Sequence, residues 1–169
     1  MSNEFIALLA NIALTFSVIV AVIFGIAQVK SARKDRQERL TLETLRHFQT
    51  REFAETLRYL HMTTFPQTYE AWEAWTKPDQ VRFIQLSQEM ESLGLLLAER
   101  LISIDLIDKT LGTFVTTSWE QFKPVVMDMR EKNPDPFLNE YFQWMAEQID
   151  KRMKERPRAP FFLSDKTAV

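Results

Sequence analysis

Phe5–Val29 reads FIALLANIALTFSVIVAVIFGIAQV, 25 consecutive residues without a charge. As a helix rising about 1.5 Å per residue, this stretch reaches roughly 37 Å, enough to cross a hydrocarbon core of about 30 Å with some tilt. A signal peptide would place positive charge ahead of a shorter apolar run of about 7–15 residues. Here the leader is Met1-Ser2-Asn3-Glu4 and the run is longer. The pattern predicts a permanent transmembrane helix in place of a cleaved signal or a buried core helix.

Directly after the run come Lys30, Arg33, Lys34, Arg36 and Arg39, offset by the acidic Asp35 and Glu38, while the other side offers Glu4 and the terminal amine. Lysine and arginine next to a span stay in the cytoplasm, and acidic residues count for little in that choice. The expected topology is a short N-terminus outside, one span, and residues 30–169 on the cytoplasmic side of a bacterial inner membrane. At 100° per residue the span sorts into two arcs. Leu8, Ile12, Phe16, Ile19, Ile23 and Ile26 form a bulky arc suited to lipid, and Ala13, Ser17, Ala21 and Gly25 recur every four residues on another. Small residues so spaced let two helix backbones approach closely in lipid, so this arc is the candidate packing face. Asn11 and Thr15 lie near its edge.

Beyond the span, 169 residues leave room for a single soluble domain. Three glycines exclude architectures built on phosphate-cradling loops and tight-turned sheets. With no cysteine, disulfide frameworks, thiolate nucleophiles and cysteine-ligated metals are excluded as well. No stretch alternates in the manner of a strand, and the expected class is all-α, with a cytoplasmic bundle of four or five main helices. The expected divisions are an N-terminus and span (1–29), a juxtamembrane helical segment (30–61), a bundle body (62–156) and a flexible basic and aromatic tail (157–169).

Leu42, Leu45 and Phe48 form one apolar face, followed after Thr50 by Phe53, Leu57 and Leu60. Thr50 is a natural N-cap, with Glu52 well placed in the next turn. Phe65-Pro66 breaks the pattern, and Phe65, Tyr69, Trp72 and Trp75 follow at the spacing of one helical face, most simply a core stripe. From Gln80 to about Ile102 a helix carries Leu86, Met90, Leu93, Leu97 and Leu101, widened by Leu95 and Leu96, which suits the centre of a bundle. Gly94 in its middle signals a neighbour passing close by. Ser103 opens a short helix that Gly112 turns into the next, which carries Val115, Trp119, Phe122, Val126 and Met129 and bends at Pro124. Asn133-Pro134-Asp135-Pro136 is a stop and restart, with Asp135 as N-cap and Pro136 as first helical residue. A final aromatic helix ends at Pro157.

Charge is segregated. Residues 30–61 carry eight basic and five acidic side chains, residues 62–150 seven and fifteen, and residues 151–158 (KRMKERPR) five and one. Anionic leaflets attract polybasic segments. The C-terminal basic stretch with Phe161-Phe162-Leu163 is therefore expected either to return to the membrane or to remain a solvated tail.

Chemistry finds little support. His47 and His61 are the two histidines. Glu43 and His47 share a face, but a carboxylate-bridged metal pair needs several Glu-x-x-His pairs. Asp105 with Asp108 and Glu89 with Glu91 are common surface pairs. No phosphate loop, nucleophile elbow or His-Glu-x-x-His motif is present. No catalytic, cofactor-binding or metal-binding residue is assigned, and an enzyme is not expected. A tethered helical ribonuclease would draw on Arg46, His47, Arg58 and His61, which lack the usual Arg-to-His spacing for that group, and an acidic body disfavours nucleic acid as a partner.

The run RQERLTLETLRHFQTREFAETLRYLH, then LLLAERLISIDLIDKTLGTFVTTSWEQFKPVVMDMRE, then the aromatic last helix, resembles a bacterial domain-of-unknown-function family, the one numbered 4760. The likeness covers roughly residues 5–155 and rests on element order, the Trp119-to-Pro124 helix and the Ile104-Asp105-Leu106-Ile107 turn. It implies a short, single-span membrane protein with a cytoplasmic helical bundle and supplies no activity. A weaker likeness, of size and layout alone, is to a ring-forming membrane accessory protein of RNA-targeting CRISPR systems. The leading expectation is thus a non-enzymatic protein whose partners are the lipid bilayer and either itself or another membrane protein. An oligomeric pore or accessory protein in phage defence and the tethered ribonuclease stand as alternatives.

Overall fold

The computed structural model describes residues 3–133 and 135–160, the side chain of Glu4 excepted. Pro134 of the anticipated stop signal and the Phe161-Phe162-Leu163 cluster lie outside the described residues. Among those described, six helices and no strand occur: α1 (Asn3–His47), α2 (Arg51–Met62), α3 (Tyr69–Glu73), α4 (Lys77–Ala98), α5 (Ile104–Lys132) and α6 (Glu140–Glu155). The all-α class is as the sequence leads one to expect. The chain divides into two units, Met1–Arg39 and Leu40–Val169.

The first unit is the greater part of one uninterrupted helix. Nothing between Asn3 and His47 breaks α1: it contains no proline, and its one glycine, Gly25, stands within it without a bend being required. Arg46 and His47 occupy its last turn, where positive charge complements the carbonyl end of the helix.

In the second unit α1 hands over to α2 through Thr50, which serves both helices. Its Oγ1 donates to the His47 carbonyl at 3.1 Å and accepts from the Phe53 N–H at 3.2 Å. The inward face of the incoming helix is turned from the one read off the wheel: Leu42 is 56% exposed, whereas Thr41 and Leu45 are buried. Thr41 goes inside because its hydroxyl accepts the Ser103 N–H at 2.9 Å. A threonine so paired is as comfortable in the interior as a leucine.

The aromatic stripe splits. Only Tyr69 and Trp72 lie on the short α3, while Phe65 and Trp75 sit in the flanking segments. All the same they converge, as a core stripe should: Phe65 and Trp75 are 5.5 Å apart edge to face, and Phe83 stacks on Phe122 at 4.2 Å with an interplanar angle of 11°. Such pairs add about 0.5–1.5 kcal/mol each beyond area burial.

α4 begins earlier than Gln80 because Thr76, not the Pro78-Asp79 pair, delimits it. Thr76 Oγ1 donates to the Asp79 carboxylate at 2.6 Å and accepts its N–H at 3.4 Å, and Pro78 fits the first turn, where no amide is needed. The helix stops at Ala98. Arg100 takes a left-handed conformation (φ 57°), with Arg100 N–H to Leu97 and Leu101 N–H to Leu96 closing the end. Leu101 and Leu95 are consequently exposed, as are Val81 and Ile84, so α4 is not enclosed on all sides.

Gly112 makes no turn. α5 continues through it and through Pro124, because the apolar spacing of Ile107, Leu111, Val115, Trp119 and Phe122 persists and all five are buried. The last helix starts at Glu140, four residues beyond the Pro136 start read from the sequence. Asp135 Oδ1 accepts the Phe137 N–H at 3.0 Å and so closes a turn without capping a helix. The cap of α6 comes from elsewhere in the chain, as described below. The core of this unit joins Met90 and Leu93 of α4, Val115, Phe122 and Val126 of α5, and Phe142, Met145 and Ile149 of α6, all 2% exposed or less.

Gly94 is where α6 comes closest. A Cβ built on it would collide with the backbone carbonyl of Tyr141. At Gly112 a Cβ would instead meet the Asp108 carboxylate at 2.9 Å and Ile149 Cγ2 at 3.4 Å, partners that can give way. Gly94→Ala should therefore destabilise the fold by about 1–3 kcal/mol, whereas Gly112→Ala should fall within about 1 kcal/mol of neutral because helix propensity offsets the crowding. Thermal unfolding followed by circular dichroism in detergent checks both.

Tyr59 of α2 lies 4.9 Å beneath the Arg82 guanidinium, and burial, aided by the Asp79 carboxylate, pushes its hydroxyl up to about 12. The neutral phenol is favoured in the folded state, so its contribution is complete below the ordinary value of about 10 and is lost as pH rises through about 12. An ultraviolet titration should show a phenolate step near pH 12 that Tyr59→Phe removes.

Candidate functional site

Two features stand apart from ordinary packing, one in each unit. In the first unit, the most apolar window of α1 is 0% buried. The helix is long and apolar enough to cross a membrane. The small-residue arc is bare: Ala13, Ser17, Ala21 and Gly25 are exposed, and nothing lies within 4 Å of the position a Gly25 Cβ would take. Ser17 Oγ donates to the Ala13 carbonyl at 2.9 Å and Thr15 Oγ1 to the Asn11 carbonyl at 2.8 Å. Both hydroxyls are thereby satisfied inside their own helix, which is what a hydrocarbon environment requires of a polar group. Of the basic residues that follow, Lys34 pairs with Glu38 at 3.7 Å, while Lys30, Arg33, Arg36 and Arg39 have no ion-pair partner among the described residues. Their charge is free to meet phosphate.

In the second unit a cavity of about 680 Å³ opens between α3, α4, the end of α5 and residues 135–139. One wall is aromatic, with Tyr69 and Trp72 stacked at 6.0 Å, and Phe83, Ile84, Met129 and Leu138 supply further apolar surface. Several of its polar groups are engaged, whereas the buried Trp72 Nε1–H has no hydrogen-bond partner among the described residues. Ser87 Oγ donates to Asn139 Oδ1 at 2.5 Å, in the interior. Glu91 of α4 accepts the Tyr141 N–H at 3.1 Å and the Phe142 N–H at 2.8 Å, and so caps α6 from another helix. Asn139, the residue before α6, is left-handed (φ 57°), and its side chain is turned to Ser87 instead of its own helix.

Beside the cavity, Asp128 accepts the Tyr69 N–H at 2.6 Å and the Lys132 ammonium at 2.9 Å, and Lys132 also pairs with Glu70. The Tyr69 N–H and then Lys132 hold the Asp128 carboxyl below the usual range, and Lys132 does the same for Glu70. The ammonium in turn is raised. Chemically the cavity offers apolar contact, several paired polar groups and one unpaired indole N–H, the character of a packing or binding surface.

The histidines lie on separate clefts. His47 Nε2 is 3.6 Å from Glu89, beside Thr44, Phe48 and Gln85. His61 Nδ1 is 2.8 Å from the Leu57 carbonyl, and its cleft is formed with Thr113, Phe114 and Gln121 of α5. Glu43, which shares a face with His47 in the sequence, makes no side-chain bond to it. Asp105 and Asp108 face Arg152, not a common ligand. Among the described residues no group of three His, Cys, Asp or Glu gathers as a metal site would.

Glu91, expected as a common surface charge, instead caps α6, and Ser87, Asn139 and Thr41 were missed in the sequence. The first three are joined across some fifty positions, and no local pattern announces such pairings. The one signal within reach was Gly94, three residues after Glu91, which marks where α6 arrives.

Residues 15–149 match the family model described as Domain of unknown function (DUF4760). No curated protein and no solved structure matches the chain.

Glu91→Ala strips two backbone amides of α6 of their acceptor. Unfolding in urea should show a loss of about 1.5–3 kcal/mol, the range for bonds to a charged group, with Glu91→Gln losing less.

Proposed function

The chain belongs to the DUF4760 family, and we propose that it is a single-pass protein of the bacterial inner membrane whose cytoplasmic helical domain mediates assembly, with copies of itself or with another membrane protein. The observation that carries this reading is the bareness of α1. Its apolar window has no covering in the chain, whereas the 40–160 part owns a closed core of its own. A helix exposing apolar surface on every side is matched to lipid, and burial in protein elsewhere in this chain is already complete without it. The unpaired basic residues after the span support a cytoplasmic C-terminal domain.

The Ala13, Ser17, Ala21 and Gly25 arc supplies the contact in lipid. With both nearby hydroxyls bonded to their own carbonyls, association there draws on close backbone approach and van der Waals contact. The bundle adds the specificity that such an arc lacks, because its surface carries the aromatic cavity and the charge pattern.

The protein should resist extraction by alkaline carbonate and yield to detergent, and a reporter fused at Val169 should be active only in the cytoplasm. A freely soluble chain, or a reporter active in the periplasm, overturns the membrane reading. Ala21→Leu should weaken self-association in detergent by about tenfold, roughly 1.4 kcal/mol, as read by crosslinking or native mass. A monomer before and after the substitution leaves the assembly in lipid without support and points to a different partner.

A further inference from the structure

The basic stretch KRMKERPR, Lys151–Arg158, holds five basic residues and one acidic, on a chain whose 62–150 body is acidic. Two contacts locate it within the second unit. The chain enters this unit at Leu40, and the buried Thr41 hydroxyl accepts the Ser103 N–H at 2.9 Å, which seats the start of α5 at that end. Asp105 and Asp108, in the first turns of α5, both pair with Arg152 near the end of α6, the latter at 3.7 Å. The basic end of α6 therefore shares the end of the bundle by which the chain enters. The acidic Glu70 and Asp128, tied to Lys132, lie at the other end of α5, more than twenty residues on.

This end is amphipathic. Leu101, lifted out by the left-handed Arg100, is 41% exposed, and Met153 is 42% exposed. Met153 shares a shallow cleft with Arg156, Pro157 and Arg158. Lys151 and Lys154 pair on the surface with Glu155 and Asp150 at i,i+4, and such pairs are weak and readily exchanged. Arg156 and Arg158 have no ion-pair partner among the described residues. Guanidinium groups beside exposed apolar side chains match the phosphate and upper acyl layer of a bilayer, and an anionic leaflet attracts each such charge. Thr41 follows Val29 by 12 residues, too few to carry this end of the unit far from the bilayer surface. The acidic body is repelled by the same leaflet, so charge alone selects which end turns to it.

We propose that this end of the bundle docks on anionic phospholipid, with Arg156 and Arg158 on headgroup phosphates and Leu101 and Met153 against the acyl boundary. The inference rests on the membrane reading above and adds a second, charge-dependent attachment.

The absence of cysteine makes the test direct. Met153→Cys and, at the other end, Phe137→Cys are labelled with a fluorescent donor in the full chain. Each is reconstituted in bilayers carrying an acceptor on the headgroup, of phosphatidylcholine alone or mixed with phosphatidylglycerol. Energy transfer at position 153 should exceed that at 137 in the anionic bilayer. It should fall by about twofold or more in neutral lipid, in high salt, or with Arg156→Glu and Arg158→Glu together, while 137 stays low. Equal transfer at 153 in neutral and anionic bilayers, or indifference to the paired substitution, overturns the docking and leaves the span intact. Failure of the chain to float with lipid overturns the membrane reading itself. Both arginines are exposed, so unchanged helicity in the double variant separates lost docking from lost fold.

Discussion

Water cannot hold the first unit as it stands. From Phe5 to Val29 every described side chain is exposed, and exposed apolar surface costs about 25 cal/mol for each Å² left in water. Over fifteen bulky residues the penalty exceeds the whole net stability of a typical domain, which is about 5–15 kcal/mol. The remainder of the molecule follows from that mismatch. The hydroxyls of Thr15 and Ser17 are turned onto their own helix, the basic residues begin where the apolar ones end, and the soluble helices close a core without calling on this segment.

Within the bundle, stability is concentrated where α4, α5 and α6 meet. Phe83 stacked on Phe122, and Trp119 edge-on to Phe142 at 5.1 Å, occupy a volume that smaller side chains would leave partly empty. Polar contacts at the margins do a different job. Ser87 with Asn139, Glu91 with two amides of α6, and Arg130 on the Leu138 carbonyl at 2.9 Å tie down Leu138, Asn139 and the start of α6 at the edge of the aromatic cavity.

What could be read in advance was whatever depends on neighbours in the chain. Thr50 caps α2 because a hydroxyl and an amide three residues on are always within reach. Gly94 betrayed a close neighbour because a glycine inside a helix is costly without one. The length and apolar character of α1 were equally plain, being properties of one helix. Three kinds of feature escaped. Gly112 and Pro136 were read by their usual habits, as turn and helix start, and packing against α6 and capping by Glu91 overrode those habits. Leu42 is exposed and Thr41 buried, because apolar spacing along one helix says nothing of a hydroxyl's partner 62 positions away. The cavity has no local signature, since its walls come from segments far apart in sequence.

The contact between α4 and α6 also limits how this molecule can move. Gly94 admits the Tyr141 backbone, and one turn earlier Glu91 grips the amides of Tyr141 and Phe142. A ratchet of α6 along α4 by one helical turn, about 5.4 Å, would drive a carbonyl into a side chain that does have a Cβ and leave two amides orphaned. Sliding is thus closed as a route for passing a signal through the domain. Tilting or rotation of the bundle as a rigid piece remains open.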